Sequence, residues 1–427
     1  MPEPGSNPCG PRAEGHAHFW GLDPGLTYLN HGSFGACPTA VLAAQSELRR
    51  RMEANPVGFL VRELEPLLDA AREELARFLN ADPQGLAFLP NATTAVNTVV
   101  QGFDLLSGDE ILTTDHEYNA CRNALEAAAA RAGARIVVAR VPFPVSSAEE
   151  ISAAVLSRVS ARTRLALLDH VTSPTAIVLP VESLVAELER RGVATLVDGA
   201  HGPGMLPLDL GRLGASFYAG NCHKWICAPK GAGLLHVRAD RLREMHPLVV
   251  SHGANSPRLD RTRFHLEFDW QGTQDFSPYL CVPEALRFMG ALLPGGWDEL
   301  RARNHALACE ARRILCDALE LAPPCPEAML GSMAAIVIGE EEPGAPRAVP
   351  QDDEAAQRAR AAEDAAAERG LPPEDDPLEI ALYDRHRIVV PVFRWQAPRV
   401  RILRVSAQLY NAPDQYRRLA AVLKALG

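Results

Sequence analysis

Seven short and almost continuous runs of apolar residues recur between residues 86 and 237. They are LAFLP (86–90), DEILTT (109–114), ARIVVARV (134–141), TRLALLDHV (163–171), ATLVDGA (194–200), ASFYAG (215–220) and AGLLHV (232–237). The runs do not alternate apolar with polar residues, so they predict strands that are covered on both faces rather than strands with one solvated face.

Segments with apolar residues at helical spacing lie between most of these runs. They are ATTAVNTVVQGF (92–103), EYNACRNALEAAAARAG (117–133), SAEEISAAVLSRVS (147–160) and VESLVAELERRG (181–192), and two more precede the first run at 39–55 and 64–80. Alternation of strands and helices is typical of an α/β fold whose sheet is mostly parallel. We therefore expect a large α/β domain built on a mostly parallel seven-stranded sheet.

The pattern changes after about residue 285. Helical spacing marks residues 284–293, 297–321 and 412–426, and strand-like runs occur at 332–339, 386–393 and 400–411. This order of elements predicts a smaller α+β lobe.

These patterns give a first division of the chain. We predict a loose N-terminal arm over 1–25, a large domain over 26–285 and a small C-terminal domain over 286–427. Residues 340–376 are rich in Ala, Glu and Pro and hold hardly any large apolar side chain, so they predict a solvated acidic insertion with an exposed helix in its middle.

Composition excludes several classes of protein. The chain has 427 residues and a formal charge of −10, which argues against a nucleic-acid binder. No apolar run reaches the length of a membrane span, and the first residues show no secretory signal. Nine cysteines without regular spacing do not resemble a disulfide framework. We expect a protein of the reducing cytoplasm that binds neither membrane nor nucleic acid.

Polar residues at the ends of the predicted strands supply the candidate chemistry, because ligands of such sheets bind at the carboxyl ends of the strands. LPNATTAVN follows one strand and opens a helix, where free N–H groups and the helix dipole favour a phosphate. The hydroxyls of Thr93 and Thr94 would add donors. Ordinary helix capping is the alternative for this motif.

Asp198 ends another strand in TLVDGAHGPG, and Lys224 lies in the glycine-marked turn NCHKWICAPKGAG. A buried aspartate at a strand end needs a cationic partner, with a turn-capping role as the alternative. A sheltered lysine can act as a nucleophilic amine. A metal site at Cys222, His223 and Cys227 is the weaker interpretation, because only three ligands are present and no second pair accompanies them.

Together, a helix N-terminus at LPNATTAVN that could bind a phosphate (the predicted phosphate seat), a carboxylate at a strand end and a sheltered lysine match the three requirements of pyridoxal phosphate (PLP). The lysine forms a Schiff base with the cofactor, the aspartate pairs with the pyridinium nitrogen, and the helix end holds the phosphate.

Several motifs resemble the class V aminotransferase family of PLP enzymes, which has the fold-type I architecture, and within it the isopenicillin N epimerase-like branch. They are YLNHGSFGACP, NPVGF, NATTAVN, HEYNA, TSPTA, DGAH, SFYAGNCHKW and GAGLL, in this order, and the resemblance returns at RILRVSAQLYN. It covers about residues 26–280 well. The resemblance implies a homodimer with a PLP cofactor and a small amino-acid substrate.

The resemblance also implies roles for particular residues. Lys224 matches the Schiff-base lysine, and Asp198 matches the pyridinium partner. His201 falls near the phenolic oxygen of the cofactor, and Tyr118 where an aromatic ring stacks on it. The remaining implied cofactor contacts are Thr93, Thr94, Ser173, Asn221, His223 and, reaching the phosphate of the neighbouring subunit, Thr273. The implied substrate contacts are Arg404 for the α-carboxylate and the loop residues Asn30 and His31.

The sequence leaves the reaction open. Removal of the Cα proton can lead to epimerisation, transamination or loss of a β-substituent, so an amino-acid C–S lyase is the main alternative to an epimerase or aminotransferase. A non-catalytic PLP-binding protein is a third possibility. Cysteine desulfurases carry a nucleophilic cysteine before the carboxylate-binding arginine, and HRIVVPVFRWQAPRVRIL holds none. Arg394 and Trp395 in this stretch are candidates for the substrate side chain or for lobe packing.

Overall fold

A computed structural model describes residues 15–340, 376–396 and 399–426. Its strands are β1 (Thr27–Tyr28), β2 (Leu86–Leu89), β3 (Glu110–Thr114), β4 (Arg135–Ala139), β5 (Thr163–Asp169), β6 (Ala194–Gly199), β7 (Phe217–Asn221), β8 (Gly233–Val237), β9 (Met333–Glu340), β10 (Ile388–Val389), β11 (Val392–Gln396) and β12 (Arg399–Ser406). Most of the predicted arm and of the predicted 340–376 insertion, including its helix, lies outside the described residues.

The helices lie between these strands and at their flanks. They are α1 (His31–Phe34), α2 (Thr39–Ala54), α3 (Pro56–Gly58), α4 (Leu64–Phe78), α5 (Ala92–Gly102), α6 (Asn119–Ala132), α7 (Ala148–Leu156), α8 (Val181–Arg190), α9 (Leu210–Leu213), α10 (Arg263–Phe268), α11 (Ser277–Leu280), α12 (Val282–Gly290), α13 (Gly296–Leu319), α14 (Pro377–His386) and α15 (Pro413–Leu426).

Strands β2 to β8 form one seven-stranded sheet in the order β2-β8-β7-β6-β5-β3-β4. The five strands from β7 to β4 run parallel to one another, whereas β8 is antiparallel to both β2 and β7. The predicted α/β class and the mostly parallel seven-stranded sheet are therefore confirmed.

Apolar side chains cover both faces of this sheet. In β5 and β6, Leu168 and Val197 belong to one hydrophobic cluster, while their neighbours Leu167 and Leu196 belong to another. All four are fully buried. Successive residues of a strand point to opposite faces, so a strand buried on both sides needs an apolar residue at nearly every position. This is why the runs in the sequence are continuous.

A second sheet is antiparallel, with the order β11-β12-β9. The sequence predicts one strand over HRIVVPVF, and this prediction is wrong. Pro391 lacks an N–H, and the run divides there into β10, which pairs with β1 near the N-terminus, and β11, which pairs with β12. Helix α14 was not predicted. The division into a large and a small domain stays a prediction.

The described helices include none whose length and apolar character would suffice to cross a membrane.

Candidate active site

Three strand ends meet at the carboxyl edge of the large sheet. Asp169 at the end of β5 lies directly across from Asp198 in β6, and Asn221 ends β7. The Asn221 side chain reaches the first turn of α5, where its Oδ1 accepts a hydrogen bond from the Ala92 N–H at 2.8 Å. The topology thus brings the predicted carboxylate and the predicted phosphate seat to one edge.

Asp198 lies among other acidic groups. It is 3% exposed; its Oδ1 accepts from the Ala200 N–H at 2.9 Å, and its Oδ2 from the Cys121 thiol at 3.1 Å. Burial and the charge of Asp198 raise the pKa of Glu117 to about 8. Burial, with the same negative surroundings, holds the pKa of Asp169 well above its usual range, and its Oδ2 has no hydrogen-bond partner in the described structure.

This cluster favours a positively charged ligand, because buried carboxylates are stabilised by a nearby cation. A pyridinium N–H suits the position. Glu117, Cys121 and Asp198 also bring one potential ligand atom each to within 4.8 Å of one another, which is a geometry that could hold a metal ion. That group differs from the Cys222, His223 and Cys227 set considered from the sequence.

Lys224 lies in the turn after β7 and is partly buried. Its Nζ is 3.3 Å from Nε2 of His201, a residue only 2% exposed. Burial and the nearby charge of Arg404 lower the pKa of Lys224 to about 8, although Asp198 and Cys121 act in the opposite direction. At pH 7 such a pKa leaves roughly a tenth of the amine uncharged, far more than an ordinary lysine pKa allows, and the uncharged form is what a nucleophile or a base requires.

The N-terminus of α5 is capped by two asparagines. Asn91 Oδ1 accepts from the Thr94 N–H at 2.8 Å, and Asn221 caps Ala92 as described above. Among the described residues, the intervening Thr93 N–H has no hydrogen-bond partner. A Cβ at Gly233 would lie 2.7 Å from the Asn91 Cα, so glycine is needed where β8 passes this helix end. One amide and the helix dipole remain open to an anion.

His223 is two residues after Asn221, which caps this helix end, and is partly buried. Its Nδ1 is 2.9 Å from the Ala232 carbonyl oxygen and donates to it. Burial and the Lys224 charge lower the pKa of His223 to about 4, so the imidazole is neutral at pH 7 without an anion beside it. A bound phosphate would favour the protonated ring, whose Nε2–H is then a second donor.

Arg404 in β12 is a buried cation held by neutral groups. The side chain is 1% exposed; Nη1 donates to the Ser173 carbonyl oxygen at 2.6 Å, and Nη2 to Ser33 Oγ at 3.0 Å and Asn30 Oδ1 at 3.3 Å. The guanidinium carbon lies 5.0 Å from the centre of the Phe393 ring. Burial lowers the pKa of Arg404 to about 10.

No carboxylate lies within 4 Å of Arg404 in the part of the chain that the structure describes, and its Nε has no hydrogen-bond partner there. Glu379 acts on the guanidinium only at longer range, where its charge offsets part of the burial cost. A guanidinium buried in this way favours an incoming carboxylate in direct contact. The internal salt bridge that would make Arg404 purely structural is not found among these residues.

Asn30 and His31 occupy different places. Asn30 contacts Arg404, whereas His31 is fully buried, with its Nε2 2.9 Å from the Lys224 carbonyl oxygen and its Nδ1 2.8 Å from the Tyr410 hydroxyl. Burial lowers the pKa of His31 to about 3. His31 therefore supports the backbone of the lysine turn, and its predicted contact with the substrate stays a prediction.

Tyr118 and Thr273 are the most exposed of the predicted residues. Tyr118 precedes α6 and is 45% exposed. Burial raises the pKa of its phenol, the neighbouring Cys121 and Asp198 add to this shift, and Arg404 opposes it. Thr273 is on an exposed loop and has no bond to the other site residues within the described ranges.

Sequence reasoning missed Glu117, Asp169, Ser33, Asn91 and Trp225. Asp169 ends an apolar run in the same way as Asp198, and this signal could have identified it. The other four are recognised only by what they contact in the fold.

The fold and site define a family. The chain belongs to the class V aminotransferase family, whose model matches residues 27–333. Among its relatives is an isopenicillin N epimerase of Streptomyces clavuligerus, 36% identical over 418 residues, which cover 95% of this chain and 96% of the relative. A putative L-cysteine desulfhydrase 1 of Oryza sativa subsp. japonica is 35% identical over 343 residues, covering 76% of this chain and 69% of the relative.

Solved structures share the fold. The cystine C–S lyase C-DES in complex with cysteine persulfide has a TM-score of 0.71 at 23% identity, with 93% of this chain and 97% of that chain covered. The cysteine desulfurase CsdA of Escherichia coli has a TM-score of 0.72 at 21% identity, with 97% of both chains covered. The protein is thus an enzyme of the PLP-dependent class V family, and PLP is its cofactor.

The residues present fit this cofactor. A buried carboxylate, a lysine with a lowered pKa and an open helix N-terminus lie at one sheet edge, and each has the charge or hydrogen-bonding capacity that one part of PLP requires.

Proposed function

We propose that the protein binds an amino acid by its α-carboxylate and acts at the Cα atom, with isopenicillin N epimerase-like chemistry as the first candidate. The buried guanidinium of Arg404 carries this proposal, because it is held only by neutral oxygen atoms among the described residues. Bidentate binding of a carboxylate both neutralises the cation and orients the substrate.

The cofactor residues are assigned in the same proposal. When bound, PLP withdraws electrons from Cα and so acidifies its proton. Asp198 would hold the ring nitrogen in its protonated form, His201 would donate to the phenolic oxygen, and Tyr118 would contact the ring. The phosphate would be bound by Thr93, Thr94, Asn221 and His223 from one subunit and by Thr273 from its partner. Ser173, which accepts from Arg404, would be a further cofactor contact.

Lys224 is both the attachment point of the cofactor and the base for the Cα proton. Its pKa of about 8 suits this role, since a general base works best when its pKa is close to the working pH. Arg404 lowers that pKa, and the same residue holds the substrate carboxylate. Substrate binding at Arg404 would therefore bring the Cα–H group close to the Lys224 amine.

Similarity over nearly the full length favours epimerisation. Two isopenicillin N epimerases are 36% and 37% identical to this chain over 95% of its length. Amino-acid C–S cleavage is the second candidate, since plant L-cysteine desulfhydrases are 30–35% identical. Desulfuration through a protein persulfide is disfavoured, because residues 386–404 contain no cysteine.

An amino-acid panel in heavy water tests the proposal. The PLP-loaded enzyme is incubated with L- and D-amino acids, including cysteine, and with peptides that carry a free α-carboxylate. The products are identified by mass, chirality and sulfide release. We expect deuterium at Cα with appearance of the opposite configuration. Sulfide with loss of the amino acid would identify a C–S lyase instead. Absence of Cα exchange with every compound would contradict the proposal.

The homodimer and the cytoplasmic location also remain proposals. The dimer is needed if Thr273 is to reach a phosphate, since this residue lies on an exposed loop away from the other site residues.

A further inference from the structure

Trp225 follows the cofactor lysine in the sequence, and its side chain reaches the other residue that contacts the lysine amine. Its indole Nε1 lies 3.3 Å from His201 Nδ1, and His201 Nε2 lies 3.3 Å from Lys224 Nζ. Trp225 is 1% exposed and His201 is 2% exposed. Indole, imidazole and amine therefore form one buried line of hydrogen bonds.

The chemistry of the three groups fixes where the protons are. An indole N–H can only donate, so His201 Nδ1 must accept and carries no proton. Burial and the charges of Lys224 and Arg404 hold the pKa of His201 well below its usual range, so the ring is neutral and its single proton is on Nε2. That Nε2–H faces Lys224 Nζ and can donate to the lone pair of the amine whenever the amine is uncharged.

We propose that Trp225 is a positioning residue that fixes His201 as the Nε2-protonated tautomer, which favours the uncharged form of Lys224 before the cofactor arrives. The same N–H is then available to the phenolic oxygen of bound PLP. The role of this N–H towards PLP rests on the proposed function, whereas its role towards Lys224 concerns the cofactor-free protein alone.

The indole has little freedom to leave this position. Gly204 has a φ of +89°, and a Cβ there would lie 2.5 Å from the Trp225 carbonyl carbon, so the backbone segments are in close contact. On another side, the His31 ring centre is 4.8 Å from that of Trp225. The donor is therefore held where the imidazole needs it.

Other charged groups surround the line of hydrogen bonds without deciding the tautomer. Arg404 lowers the pKa of Lys224, while Asp198 and Cys121 raise it, and His31 faces His201 as well. Among the described residues, only the Trp225 indole hydrogen-bonds to His201 Nδ1. Removal of the indole N–H should therefore allow His201 to adopt either neutral tautomer, while the surrounding charges stay in place.

Nitrogen NMR of the cofactor-free protein tests the inference, with 15N-labelled histidine and assignment through His201→Ala. We expect the Nε2-protonated signature for His201 in the natural protein and loss of that preference in Trp225→Phe. Trp297→Phe is the control, because its indole donates to the Leu286 carbonyl oxygen at 3.1 Å and packs against Phe78. It should leave the His201 signals unchanged.

The pKa of Lys224 gives a second readout, measured by pH-dependent reductive methylation with peptide mass analysis. A released imidazole can turn its lone pair towards the amine and stabilise the ammonium form. We expect the pKa to rise in Trp225→Phe, with roughly a tenfold smaller uncharged fraction at pH 7. In a His201→Ala background, Trp225→Phe should produce no further change.

The outcomes separate the two proposals. A natural protein with His201 protonated on Nδ1 would overturn the inference, even if Trp225→Phe does not fold. A folded Trp225→Phe protein with an unchanged tautomer and an unchanged Lys224 pKa would also overturn it. The predicted tautomer in a protein that does not attach PLP at Lys224 would refute the proposed function and leave the role of Trp225 intact.

Discussion

Arg404 shows most clearly how a single residue reports on function. A buried cation without a carboxylate lowers stability, and the pKa of about 10 reflects the cost of its desolvation. The protein offsets part of that cost with the oxygen atoms of Ser173, Ser33 and Asn30. A buried cation of this kind is typical of a binding site, where a negatively charged ligand supplies the opposite charge.

We expect Arg404→Ala to reduce kcat/KM by about 30- to 1000-fold, which corresponds to roughly 2–4 kcal/mol of transition-state binding. Arg404→Lys should recover little, since a point charge does not reproduce the planar fork. Visible absorbance of bound PLP should persist in both variants. Steady-state kinetics and absorbance titrations measure these quantities.

The control for Arg404 is Arg312→Ala. Arg312 is also buried, and its Nη1 donates to the Cys325 carbonyl oxygen at 2.7 Å. We expect this variant to lower the melting temperature while the response to amino acids stays intact. If Arg404→Ala behaved in the same way, Arg404 would be a structural residue.

Single residues were predictable where the chemistry is local. Lys224 and Asp198 stand out because a charged side chain interrupts an apolar run, and the structure places both at one sheet edge. Asp169 carried the same signal and was overlooked. Trp225 and Ser33 carried none, because a buried tryptophan or a serine of the short helix α1 acquires its role only from a neighbour distant in sequence.

At the scale of the element, the first turn of α5 is the most informative. Two asparagines, one before the helix and one from β7, cap the N–H groups on either side of Thr93. Helix capping was the alternative interpretation of the motif NATTAVN, but neither asparagine was named as a cap from the sequence. The predicted phosphate seat therefore depends on side chains from two elements, and only one of these is local in sequence.

We expect Asn91→Ala to cost about 1 kcal/mol of unfolding free energy, the usual cost of a lost N-cap, and to weaken PLP binding as well. Ser147→Ala is the matched control, because Ser147 caps α7 in the same way, with its Oγ accepting from Glu150 N–H. That variant should lose similar stability but bind PLP normally. Equal PLP affinity in both variants would show that α5 does not hold the phosphate.

Six of the seven strands of the large sheet were predictable because they are buried on both faces, which makes the apolar run continuous, whereas the edge strand β4 is mostly half-buried. The segment around Pro391 was not predictable. Its apolar run continues across the proline, but the backbone changes partner there, from β1 to β12. Hydrophobic periodicity reports burial and does not report which strand supplies the hydrogen bonds.

At the scale of the whole molecule, we expect a homodimer in which Thr273 reaches the partner's cofactor. Thr273→Asp should weaken PLP binding by repelling the phosphate, and Lys224→Ala should abolish attachment. Hybrid dimers of these two variants rebuild one complete site, so a mixture should regain attachment of PLP. An active monomer in sedimentation, or no recovery on mixing, would contradict this arrangement.

Buried histidines predict how stability depends on pH. Burial lowers the pKa to about 3 for His31 and to about 4 for His170, His223 and His236. The unfolded chain binds these protons near pH 6.5, whereas the folded protein does so only at lower pH. Stability is therefore fully present above about pH 6.5 and is lost as the pH falls towards 4, and each proton contributes about 1.4 kcal/mol per pH unit.

We expect the unfolding free energy of the cofactor-free protein to decrease between pH 7 and pH 5 in urea titrations. The raised pKa of Glu117 acts in the opposite direction and reduces the slope. His236→Gln removes one such group and should flatten the dependence. A free energy that stayed constant or rose on acidification would be inconsistent with neutral buried histidines.

Attachment of the cofactor to Lys224 is the central claim, and the sequence allows a direct measurement of it. The chain contains only three lysines, Lys224, Lys230 and Lys424. Lys230 is exposed and lies six residues after Lys224. The PLP-loaded protein is reduced with borohydride, digested and analysed by peptide mass spectrometry. We expect a phosphopyridoxyl group on Lys224 alone and none in Lys224→Ala; the same label on Lys230 or Lys424, with Lys224 unmodified, would contradict the assignment of Lys224.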